Sequence, residues 1–177
     1  MELIVAELSV GLLLIFCGIF LIIKPLICER KCKIFMRSRL ANWLAFGAAV
    51  SWFLWHITRL SEADFGQYKW IFFGFFLSVA VVVTLMIRDF LCIRGMAVLV
   101  LLASNELLAA AYMCEQKSRL FMVSFVYLAI SVAIYLGIVP YKFRDFIEWL
   151  FKGKILPRLF GLLMLLYGII VLSSVAW

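Results

Sequence analysis

Hydrophobic residues fall along this chain in long uncharged blocks separated by short charged ones. Residues 40–58, 70–87, 120–141 and 159–177 contain no Asp, Glu, Lys or Arg. Residues 8–23 are equally uncharged and follow Glu7, while residues 95–114 hold a single charge, Glu106. A helix needs roughly 20 apolar residues to cross about 30 Å of hydrocarbon, and each block is close to that length. The pattern predicts an all-α fold, a polytopic transmembrane helical bundle. Its six spans fall at about 3–23, 40–57, 70–87, 95–113, 120–140 and 159–176. Residues 1–177 read as one integral membrane domain.

A shorter stretch has a different rhythm. In "YKFRDFIEWLFKGK" (141–154), Phe143, Phe146, Ile147 and Leu150 recur at helical spacing. Lys142, Asp145, Glu148 and Lys152 lie largely on the opposite side, with Glu148 and Lys152 as a favourable i,i+4 pair. This predicts a short amphipathic helix lying in the cytoplasmic interface, its aromatic face at headgroup level.

Composition excludes a soluble fold. Hydrophobic residues make up 67% of the chain and charged ones 15%, against about half and about a quarter in ordinary globular proteins. The first block does not read as a cleaved signal peptide. Its start, "MELIVAE", is acidic where a signal is basic, and positive charge follows the block rather than preceding it. It reads as an anchor with the N-terminus on the non-cytoplasmic side.

Charge sets the orientation. Lys24, Arg30, Lys31, Lys33, Arg37 and Arg39 lie between spans 1 and 2, and Arg88 and Arg94 between spans 3 and 4. Lys142, Arg144, Lys152, Lys154 and Arg158 lie between spans 5 and 6. The remaining connections hold only Arg59, Lys69, Lys117 and Arg119. Lys and Arg accumulate in cytoplasmic loops, so both termini are expected to be non-cytoplasmic. The location is then a plasma membrane, the inner membrane if the source is bacterial. The chain reads as three hairpins, roughly 1–57, 69–113 and 120–177, each turning in the cytoplasm. The second and third share "IRDF" and "FRDF", although Arg before an apolar run is common at any span boundary. The net charge of +7 is therefore a topology signal. No nucleic-acid-binding module accompanies it, and the bilayer is the expected partner.

Few chemical signatures stand out. Cys28, Cys32 and Cys92 face the reducing side, Cys17 lies in the first span, and Cys114 alone lies outside. A thiol oxidase would need an outer cysteine pair. Cys28 and Cys32 are spaced to share a helix face, but two thiols without a nearby His make a poor zinc site. The single histidine excludes a bis-histidine haem within this chain. No GxGxxG, Walker, HExxH or GxSxG motif occurs. No metal or cofactor is expected, and the reading leans away from an enzyme.

The polar residues within the spans are the candidate site. An ionisable group inside a membrane is expensive and by default functional. Glu7 lies near the outer end of span 1, within reach of water, and His56 sits among tryptophans at the outer end of span 2. Glu106, beside Asn105, is deeper. It lies ~16 Å from the inner boundary of span 4 and ~10 Å from the outer one. Gly95, Leu99, Ala103, Glu106 and Ala110 form one stripe of span 4. Asn42, Ala45, Ala49, Trp52 and His56 form another in span 2. Span 5 offers Ser124, Tyr127 or Leu128, Ser131 and Tyr135. These three faces are expected to meet around Glu106. The leading functional reading is an accessory, assembly or scaffold subunit with a membrane-protein partner or self-association. The alternatives are a small transporter or channel using Glu106, and an outer-leaflet lipid or quinone enzyme with Glu106 and His56 as an acid/base pair.

Overall fold

A computed structural model describes residues 3–61, 65–86, 90–114, 116, 119–153 and 155–174. Most of "IRDF" and the charged residues Arg88, Lys117 and Lys154 lie outside these, as does the side chain of Arg37. Among the described residues the fold is all-helical. Six helices are long and apolar enough to cross a membrane. They are α1 (Leu3–Ile23), α3 (Arg39–Thr58), α4 (Lys69–Met86), α5 (Leu91–Ala111), α6 (Arg119–Ile138) and α8 (Ile155–Ser174). Two shorter helices, α2 (Pro25–Arg37) and α7 (Tyr141–Leu150), connect them. A 3-10 turn, Gly66–Tyr68, leads into α4.

Helix α2 occupies the basic segment that reads as a loop in sequence. Pro25 starts it, where a fixed φ and a missing N–H cost nothing. Ser38 then separates α2 from α3. Its backbone N–H donates to the Phe35 carbonyl, and its hydroxyl accepts from Ala41 N–H at 3.3 Å. One serine thus closes one helix and caps the next.

Helix α7 forms within the expected amphipathic stretch, with Ile147 and Leu150 buried. Phe146 meets Phe160 of α8 edge-on, with ring centroids 6.0 Å apart. The helix ends before Lys152, so the expected Glu148–Lys152 pair does not form. Glu148 instead lies 3.9 Å from Arg144, one turn earlier.

The helices do not pack as three hairpins. Helix α1 lies along α8, and α5 lies between α3 and α6. Neither α1 and α3 nor α4 and α5 pack along one another. The 13 residues of α2 span about 20 Å at 1.5 Å per residue, enough to carry the chain away from α1 before α3 begins. Helix α4 touches chiefly α3, with Phe76 edge-on to Phe53 at 5.0 Å, and none of its residues is buried.

Two glycine pairs bring α1 and α8 together. A Cβ on Gly18 would lie 2.7 Å from the Gly161 carbonyl oxygen, and one on Gly161 would lie 2.9 Å from that of Gly18. One helical repeat away, a Cβ on Gly168 would lie 3.0 Å from the Gly11 carbonyl. The matching of 11 with 168 and 18 with 161 makes the helices antiparallel. Their seven-residue spacing keeps both pairs on one seam. The main apolar core adjoins it, formed by Leu3, Ala6, Val10 and Leu14 with Ala110, Ala111, Met122 and Val126.

Replacing Gly161 with Leu should force this seam apart. Overpacking of this kind costs about 1–3 kcal/mol, so the melting temperature of the detergent-purified protein should fall by several degrees. Nothing lies within 4 Å of a Cβ at Gly74, and Gly74→Leu should melt like the parent. Equal melting of all three proteins would contradict the seam.

Candidate functional site

The α3–α5 contact is parallel and in register. A Cβ on Gly95 would lie 2.7 Å from the Phe46 nitrogen and 2.8 Å from the Ala45 carbonyl carbon. No side chain fits there, so the two backbones meet. Eleven residues further along each helix, His56 and Glu106 face each other. Their Nε2 and Oε1 atoms are 3.4 Å apart. The stripes expected on spans 2 and 4 therefore do meet, and they bring these two ionisable groups into contact.

The contact is loose. A charge-assisted N–H···O bond is about 2.7–2.9 Å long. At 3.4 Å, Nε2 lies within ion-pair reach but makes no hydrogen bond in this geometry. Trp52, one turn before His56, stacks beside the imidazole with centroids 6.5 Å apart and planes 21° apart. The His56 side chain is 33% exposed and that of Glu106 is 44% exposed. The two side chains are thus partly exposed, although the contacting Nε2 atom is itself buried. Chemically, an imidazole nitrogen and a carboxylate can share one proton, with either group as donor, once they close to hydrogen-bond distance.

The other expected site residues lie elsewhere. Asn42 is 14 residues before His56, about 21 Å along the same helix. Its Oδ1 accepts from the Cys92 backbone N–H at 3.0 Å. That N–H is among the first of α5 and has no partner within its own helix, so Asn42 caps α5 from the neighbouring helix. Glu7 does not reach water: it is buried at 1% exposure on the α1 face that carries Leu3, Ala6 and Val10. Asn105 makes no contact with the pair that would place it in the site. Its side chain is exposed and makes no hydrogen bond to a described residue.

Helix α6 does not complete the site. Ser124, Tyr127, Leu128, Ser131 and Tyr135 are all exposed. The Ser124 and Ser131 hydroxyls donate to the Leu120 and Tyr127 carbonyls of their own helix, at 2.8 and 2.9 Å. A serine hydroxyl can satisfy itself one turn back, so the stripe needs no partner helix. Ala110, from the expected Glu106 stripe, packs into the apolar core instead.

The cysteines stay apart from this pair. Cys28 and Cys32 lie one turn apart on α2, and burial pushes the Cys28 thiol up to about 11, with the neighbouring Cys32 adding to the shift. Burial likewise raises the Cys32 thiol. Both shifts favour the thiol over the thiolate, the nucleophilic form. Among the described residues, no three His, Cys, Asp or Glu side chains converge as metal ligands.

Sequence reasoning missed the four seam glycines, although two G-x6-G spacings marked them. It placed Trp52 correctly on the face of His56. Comparison with protein-family models, curated proteins and solved structures finds no match for this chain.

Replacing Asn42 with Ala should cost about 1 kcal/mol, as loss of an N-terminal cap does. It should also speed hydrogen exchange at the Cys92 amide, while Asn42→Asp keeps the acceptor and preserves protection. Unchanged exchange in the Ala variant would show that the cap is not made.

Proposed function

We propose that this chain is a multi-pass subunit of a larger membrane assembly, acting as an accessory, assembly or scaffold component. The observation that carries this reading is Asn105. Its carboxamide is exposed within a helix long and apolar enough to span a bilayer. Hydrocarbon offers no hydrogen-bond partner, whereas a neighbouring transmembrane helix does, at roughly 0.6–2 kcal/mol per bond. The open faces of α3 and α4 agree with this, since a Cβ at Gly47 or Gly74 meets nothing within 4 Å.

The same proposal includes topology. The basic end, with α2, α7 and the starts of α3, α5 and α8, lies in the cytoplasm of a plasma-membrane protein, and both termini lie outside. Helix α7 then rests in the interface as an anchor. The connections between spans 1 and 2, 3 and 4, and 5 and 6 all turn on that side, even though the helices exchange packing partners.

Mild-detergent purification from native membranes, followed by mass spectrometry, tests the subunit reading. A stoichiometric partner protein should co-purify and should be largely lost with Asn105→Leu. A clean monomer or homo-oligomer would refute it.

The His56–Glu106 contact favours a second reading, in which the pair passes protons or a protonated solute near the outer end of α3 and α5. Proteoliposomes should then show a pH-dependent flux that disappears with Glu106→Gln, a change that keeps shape but removes ionisation. Identical flux in that variant would exclude the charge-dependent role.

A further inference from the structure

A cavity of about 930 Å³ opens at the basic end, where α2, α3, α5 and α7 converge beside the last turn of α4. Lys33 of α2, Arg39 of α3 and Arg144 of α7 line it. Three separate helices thus aim one cation each at a shared space. Their present partners hold them unequally. Arg39 makes no ion pair among the described residues. Arg144 lies 3.5 Å from Asp145 and 3.9 Å from Glu148, both loose contacts on exposed side chains. Only Lys33 has a close partner, Glu29 at 2.6 Å. Exposed pairs of the loose kind are weak and readily exchanged.

Part of the lining is apolar. Trp43, one turn after Arg39 on α3, contributes with Leu85 and Leu91, and Trp43 is 67% exposed. Helices α3 and α5 begin at this level and α4 ends there. The cavity therefore straddles the step from charged connections to apolar spans, where tryptophan rings favour the headgroup region. Asn42 also lines it. Its Oδ1 is occupied by Cys92, which leaves the two amide N–H donors for a ligand.

We propose that this cavity binds an anionic phospholipid carrying a hydroxylated headgroup. The phosphate meets Arg39 and Arg144, whose planar forks match its oxygens. Glu148, the one carboxylate among the described lining residues, disfavours a bare dianion and accepts hydrogen bonds from headgroup hydroxyls. The acyl chains leave along Trp43 and Leu85. Basic pockets between membrane helices recognise acidic headgroups by the same chemistry. Free phosphate would use the cations but gain nothing from the apolar lining.

Native mass spectrometry of the full chain in non-ionic detergent tests this, with phosphatidylglycerol, phosphatidylcholine and inorganic phosphate as probes. One phosphatidylglycerol should be retained in preference to phosphatidylcholine. Arg39→Gln and Arg144→Gln should each weaken retention by about tenfold, as loss of a charged hydrogen-bond donor does. Arg39→Lys should fall between parent and Gln. Lys69→Gln, at the opposite end of the bundle, should match the parent. Thermal melting of each variant separates misfolding from lost binding. Equal retention of both lipids overturns the proposal. So do folded Gln variants that hold phosphatidylglycerol like the parent, or millimolar phosphate that displaces the lipid and binds in its place.

Discussion

Backbone contact at glycine is the constraint on which the rest of this structure depends. Lipid tails are as apolar as leucine, so helices inside a bilayer gain no hydrophobic advantage by meeting. They associate where their surfaces approach closely enough for dense packing. Gly18 against Gly161 and Gly11 against Gly168 provide that approach between α1 and α8, and Gly95 provides it between α5 and the Ala45–Phe46 backbone of α3. Helix α5 also packs along α6, where Gly137 makes only an ordinary contact with Ala97. Helix α4 has no such point and stays at the edge of the bundle.

The second glycine contact also sets the site. Because α3 and α5 run parallel, the register established at Gly95 is carried unchanged to the other end, eleven residues away. One end of this interface is tied by Asn42, which caps the start of α5. The other brings His56 to Glu106. The two polar contacts are structurally coupled through one rigid helix pair, yet they differ in character. The cap is a fixed hydrogen bond to an N–H that would otherwise lack an acceptor. The histidine–carboxylate contact is longer and partly exposed.

The basic end shows how a topology signal can also be a surface. Lys33, Arg39 and Arg144 belong to the charge bias from which the orientation is proposed. Orientation requires only their presence on one side, whereas the cavity requires them on three different helices facing one space. Helix α2 is what makes that possible, since it holds Lys33 on an ordered scaffold rather than in a loop.

The sequence by itself determined the helical class, the six apolar elements and the segregation of charge to one end. Each depends on hydrophobicity and helical period, both local properties that a reader can follow along the chain. It also indicated that Asn42, Trp52 and His56 share one face of α3, because residues spaced by three and four must do so. Only the tertiary structure decided that this face meets Glu106, that Asn42 serves α5 instead of the same site, and that Ser124 and Ser131 bond within their own helix. It also decided that α1 pairs with α8 rather than α3. Uncharged helices of similar length carry little information about their partners. The choice rests on a few small residues whose fit depends on the opposing surface, and that surface is not written in the local sequence.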